Sequence, residues 1–188
     1  STGGTFANPV SSARGLSEWG ELIITFNDCN NGTAVLRGLD GEKHQALVKI
    51  IGVNGTNCVG GASADGAFSG AWFDPARDGE GFNLIVTPVG IIIYYYGFDS
   101  DGNRIWFISD VMASSLQVGQ PVSADVFKAN NGTFDSPVSS SVSLVKWGTI
   151  ELEADNCDSI TMTMNTLEGN KVSASIKIVG VVGLSCSN

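Results

Sequence analysis

The sequence predicts an all-β protein, an antiparallel β-sandwich or partly open barrel built on an internal repeat. Three observations carry that expectation. Short runs of β-branched and aromatic residues alternate with Gly, Asn and Asp turns along all 188 residues. No stretch long enough for a helix keeps a 3.6-residue apolar period. Sliding the chain along itself by 128 residues lays 4–58 over 132–186 without a gap, with 22 identities.

The repeat fixes the organisation. Gly4-Thr5-Phe6 falls on Gly132-Thr133-Phe134, and Pro9-Val10-Ser11-Ser12 on Pro137-Val138-Ser139-Ser140. Trp19-Gly20 falls on Trp147-Gly148, Cys29 on Cys157, Gly41 on Gly169, Lys49-Ile50 on Lys177-Ile178 and Cys58 on Cys186. Residues 1–58 therefore form a half-repeat, here the B half. Residues 59–188 form a complete unit, with an A half over 59–128 and a second B half over 129–188.

The elements follow in order. Strands are expected over 20–26, 33–37 and 43–51 in the first B half, with counterparts over 149–154, 161–165 and 171–179. Asp40-Gly41 and Glu168-Gly169 sit at matching hairpin positions. Thr161-Met162-Thr163-Met164-Asn165 and Ser173-Ala174-Ser175-Ile176-Lys177-Ile178 alternate with a period of two, the mark of a strand with two unlike faces. In the A half the strands are 67–73, 81–87, 91–98 and 104–109, with one more near 122–128.

Charge and cysteine usage narrow the function classes. Ten Lys and Arg against nineteen Asp and Glu give −9, which argues against nucleic acid and anionic membranes as partners. No apolar run approaches the roughly 18 residues of a membrane helix. The equal spacing of the four cysteines favours Cys29–Cys58 and Cys157–Cys186, each closing a loop worth roughly 3.5 kcal/mol on a chain-entropy model. Zinc is the competing reading, but there is no CxxC and the single His has no Cys near it. Disulfides imply an oxidising, extracellular or cell-surface location, reached after signal-peptide removal. No cofactor is expected.

The most distinctive stretch runs Gly70-Ala71-Trp72-Phe73-Asp74-Pro75, then Gly79-Glu80-Gly81-Phe82, then Tyr94-Tyr95-Tyr96-Gly97-Phe98, an Asp99-to-Asn103 turn and Trp106. This resembles a repeat family of secreted and surface bacterial proteins. That family carries Gly-x-Trp-aromatic-Asp-Pro, Gly-Glu-Gly-Phe, an aromatic strand, an Asp-x-x-Gly turn and a Trp, followed by strands like the B half. The resemblance covers essentially all of 66–186. It implies an exported β-architecture and supplies no catalytic residues.

Each motif has a functional and a plainer reading. Asp74, Arg77, Asp78 and Glu80 crowd carboxylates into one loop, as acid–base chemistry or ligand binding requires. Pro75, Gly79 and Gly81 equally describe a tight connection in which Arg77 pairs with a neighbouring acid. Asp99, Asp101 and Asn103 alternate like calcium ligands. However, Arg104 stands where a calcium loop needs Gly, and a hairpin turn explains the same residues. Trp72, Tyr95 and Trp106 could stack on sugar rings, although Tyr95 must face opposite to Tyr94 and Tyr96, so one set is core. His44 has Val172 as its repeat counterpart, which makes it a tolerated strand residue. Three Asn-Gly-Thr sites, at Asn31, Asn54 and Asn131, fit both glycosylation and turn chemistry. The expected function is a non-enzymatic extracellular structural or adhesive protein whose partner is itself, as a fibre or oligomer. The alternative is a glycan-binding module.

Overall fold

Turn chemistry sets where the strands stop. The Asp28 carboxylate accepts the N–H groups of Asn30 and Asn31 at 2.7 and 2.9 Å, reversing the chain between β1 (Gly20–Phe26) and β2 (Asn31–Gly38). Gly41, at φ 115°, turns β2 into β3 (Gly41–Val48), and Gly169, at φ 119°, makes the matching turn in the second copy. The computed structural model describes residues 5–7, 17–56, 64–112, 115–131 and 143–184.

Beyond this first sheet come a 3₁₀ turn at Ala64–Phe68 and eight strands. These are β4 (Gly70–Phe73), β5 (Gly81–Thr87), β6 (Gly90–Phe98), β7 (Arg104–Ser109), β8 (Val122–Asn130), β9 (Ser143–Asn156), β10 (Ser159–Thr166) and β11 (Gly169–Gly180). They form a closed antiparallel barrel in the order β10-β11-β4-β5-β6-β7-β8-β9. The protein is all-β, and the barrel is closed rather than partly open. Closure is made where the short β4 meets β11, with Phe73 opposite Ile176 and Trp72 opposite Lys177. An irregularity between Lys177 and Val179 bends β11 there, as a bulge does at a barrel corner.

The strand expected over 67–73 is a correction. Its first residues form the 3₁₀ turn instead, held by the Ser69 N–H on the Gly66 carbonyl at 3.0 Å. The Trp72 indole also donates to the Phe68 carbonyl at 3.1 Å. The barrel takes the A half and the second B half together: β4–β8 are hydrogen-bonded to β9 on one side and β11 on the other. Its interior holds Trp72, Phe82, Leu84, Tyr95, Phe107 and Ile150, all fully buried. Phe68, Met112 and Leu116 belong to the same core.

Burial runs against polarity on β11. Lys171, Ser173 and Ser175 point into the barrel, while Val172, Ile176 and Ile178 face solvent. Ladder pairing with β10 and β4 on both sides fixes the register, and a one-residue slip would break every hydrogen bond in it.

The first B half follows the same strand plan without a barrel. Leu22, Ile24 and Phe26 share one face of β1–β3 and are 57%, 45% and 77% exposed. Their repeat counterparts Ile150, Leu152 and Ala154 are 0% exposed in the barrel core. The Trp-Gly dipeptide kept in both copies has a geometric reason. A Cβ on Gly20 would sit 2.0 Å from the Arg37 carbonyl, and one on Gly148 would sit 2.2 Å from that of Asn165. One consequence is measurable by denaturant unfolding of the barrel. Leu152→Ala should cost about 2–5 kcal/mol, whereas Ile24→Ala at the equivalent position should cost about 0.5 kcal/mol or less.

Candidate functional site

The mouth of the barrel, at the β6–β7 turn, gathers the charged groups. The loop from Asp74 to Glu80 turns inward. The Asp74 side chain accepts the Ala76 N–H at 2.9 Å and the Ser173 hydroxyl at 3.2 Å. Glu80 lies deeper. Its Oε1 accepts Arg77 Nε at 2.6 Å, and its Oε2 accepts Lys171 Nζ at 2.6 Å and the Tyr95 hydroxyl at 2.9 Å. The Lys171 ammonium also donates to the Tyr95 oxygen at 2.8 Å, which closes a triangle. Both carboxylate oxygens are thus engaged by charge-assisted bonds inside a dry wall.

Desolvation shapes the titration of this cluster. Burial, then the charge and hydrogen bond of Glu80, push the Tyr95 phenol far above its ordinary range. Burial pulls Lys171 down, and Glu80 opposes that pull. An aromatic column continues from it. Tyr95 stacks on Phe107 at 5.4 Å, Phe107 on Trp147 at 4.1 Å, and Phe6 meets Trp147 edge-on at 5.7 Å.

The structure sorts the sequence candidates. Trp72 and Tyr95, expected as ligand-stacking aromatics, are interior instead, because the pleat of β4 and β6 aims them at the core. Asp74, Arg77 and Glu80 come together, but as a turn and an ion-pair cluster rather than an open carboxylate site. Asp78, in the same loop, is partly exposed. Trp106 is 52% exposed and pairs across strands with Tyr96, at 39%, on the outer face.

Asp99 serves its hairpin, accepting the N–H groups of Asp101 and Asn103 at 3.0 and 2.7 Å and the Asn103 side-chain amide at 3.0 Å. Slight burial raises its carboxyl, but those bonds hold it below the ordinary range. Among the described residues no cluster of His, Cys, Asp and Glu is arranged to hold a metal ion. His44 lies on the exposed sheet, 2.6 Å from Glu42. Cys29 and Cys157 are both disulfide-bonded, and no described cysteine is free. Cys58 and Cys186, their expected partners, lie outside the described residues.

Sequence reading missed Lys171, Lys177 and Phe6. Lys177 donates to the Ala67 carbonyl at 3.0 Å and to the Cys157 carbonyl, with its ammonium 5.0 Å over the Trp72 ring. Both lysines are repeated 128 residues earlier as Lys43 and Lys49, and that was the available signal. The class defined is a closed eight-stranded antiparallel barrel pinned by a buried carboxylate–ammonium–phenol cluster. Comparison with protein-family models, with curated proteins and with solved structures returned no match.

Two outcomes are expected of the cluster. Lys171→Met leaves Glu80 buried with Arg77 as its remaining cation, and should cost about 3 kcal/mol in chemical unfolding. The second concerns pH. A phenol ionises near 10 in an unfolded chain. Because folding raises that value for Tyr95, its contribution is full below pH 10 and is lost as pH rises further. Lys171, depressed on folding, acts in the opposite sense, so wild type must be compared with Tyr95→Phe. The stability advantage of wild type should hold up to about pH 10 and shrink as pH rises above it in thermal unfolding.

Proposed function

We propose that this chain is a non-enzymatic structural or adhesive protein of the extracellular space or cell surface, assembling with itself into an oligomer or fibre. The observation that carries the reading is the apolar face of β1–β3. It presents Leu22, Ile24 and Phe26 to solvent, at positions where β9 buries Ile150, Leu152 and Ala154. Soluble proteins seldom leave such a face uncovered.

Within residues 1–188 the A half is already closed with the second B half, so β1–β3 of one copy and β1–β3 of another offer matching apolar faces. Two copies satisfy both by packing their β1–β3 faces together as a two-layer sandwich, Leu22, Ile24, Phe26, Leu36 and Leu47 of each meeting the other's. That contact is isologous and joins two copies. Among the described residues no strand lies beyond the outer edges of β1 and β3, and strand addition there extends the pair into a fibre. The engaged oxygens of Glu80 and the turn role of Asp74 support a structural reading of the carboxylate loop. The cysteines support an oxidising compartment, with Cys29–Cys58 and Cys157–Cys186 as the proposed pairs.

A second reading, glycan binding, draws support from Tyr96 and Trp106 lying side by side on the outer face. Trp106→Ala abolishing retention on immobilised polysaccharide would favour it. The leading reading is tested by sedimentation velocity over a concentration series. Ile24→Asp should leave the thermal unfolding of the barrel unchanged and convert the assembled chain to monomer. A wild-type chain that stays monomeric throughout overturns the reading.

A further inference from the structure

Phe6 reaches the barrel from outside every strand, yet it is among the most buried residues of the protein. Its recognition by the barrel has three parts. The Phe6 N–H donates to the Asp99 carbonyl at 2.9 Å. Its carbonyl accepts Arg77 Nη2 at 3.1 Å. Its ring is capped by the Lys171 ammonium, 4.0 Å from the centroid, and meets Trp147 edge-on. Both main-chain groups and the side chain of Phe6 are therefore read by the mouth, as they are where a protein binds a peptide.

None of the eight barrel strands depends on Phe6 for its hydrogen-bond ladder. What Phe6 does is cover the Glu80–Lys171–Tyr95 cluster and offer the ammonium a ring face, an interaction strengthened by desolvation. An aliphatic side chain fills the space without that attraction. The sequence also holds a second copy of the occupant's tripeptide, because Gly4-Thr5-Phe6 recurs as Gly132-Thr133-Phe134. Two such tripeptides accompany one closed barrel among the described residues.

We propose that the barrel mouth is a receptor site for a phenylalanine in a Gly-Thr-Phe segment, filled here by Phe6 and able to take the same segment from a second copy of the chain. The specificity lies in three groups: the Asp99 carbonyl for the incoming N–H, the Arg77 guanidinium for the carbonyl, and Lys171 for the ring. A segment held within its own chain competes at a high effective concentration, so a segment arriving from another copy meets an occupied mouth. The linkage is thereby selective for mouths that have lost their own plug.

The site is independent of the β1–β3 face, and the experiment keeps the two apart by using the full chain with Ile24→Asp throughout. A fluorescently labelled peptide of residues 1–10 is titrated against this chain with and without Phe6→Ala, and anisotropy is read. The Phe6→Ala chain should bind the peptide about ten-fold or more tightly than the chain that keeps Phe6. The same peptide with its Phe replaced by Ala should bind the opened mouth about ten-fold or more weakly. A Phe6→Ala chain that is folded by circular dichroism and ignores the peptide overturns the proposal, as does equal binding of the Ala peptide. If Phe6→Ala prevents folding, the chain is refolded with and without the peptide. Recovery of the barrel only with the Phe peptide supports the site, and failure to recover counts against it.

Discussion

The Glu80 carboxylate holds the two halves of the barrel to each other. It sits just before β5, in the A half, and its Oε2 receives an ammonium carried by β11, in the B half, 91 positions along the chain. Burying a carboxylate alone costs far more than a folded domain can spare. Here Arg77, Lys171 and Tyr95 together answer its oxygens, so each of the four requires the others. Lys171 cannot leave without stranding Glu80, and β11 therefore cannot slip.

That constraint explains why β11 is turned inside out relative to its hydropathy. Lys171, Ser173 and Ser175 occupy the interior because Glu80 and Asp74 await them there, with Ser173 bonded to Asp74 and close to Ser175. The apolar Val172, Ile176 and Ile178 are left outside. The bulge beside Lys177 serves the same end, letting β11 bend to meet β4 while Lys177 keeps its hold on the carbonyls of Ala67 and Cys157.

The two B halves are one strand plan in two circumstances. Against β4–β8, β9–β11 bury Ile150, Leu152 and Trp147. With no such partner among the described residues, β1–β3 keep their ladders and turns, and Trp19 lies across Gly38 while its indole donates to Asp40 at 2.7 Å. Local chemistry is enough to form the sheet. It is not enough to cover it. The polar face of the same sheet looks after itself through Glu42, which Arg37 and His44 both contact and whose carboxyl the His44 and Arg37 bonds hold low.

The β-class, the repeat and most strand positions were legible in the chain, because alternation, Asp and Gly turns and the 128-residue offset are local or self-referential signals. The sequence also foresaw Arg77 pairing with an acid and Asp99 building a turn, since both partners lie within a few residues. Barrel closure, the inward aim of Trp72 and Tyr95 against the outward aim of Trp106, and the central place of Lys171 and Phe6 emerge only once the strands are assembled. Which face of a strand is buried depends on what the fold brings against it. For Lys171 the decisive partner is a carboxylate 91 residues away, and for Phe6 a guanidinium 71 residues away. No local pattern encodes either distance.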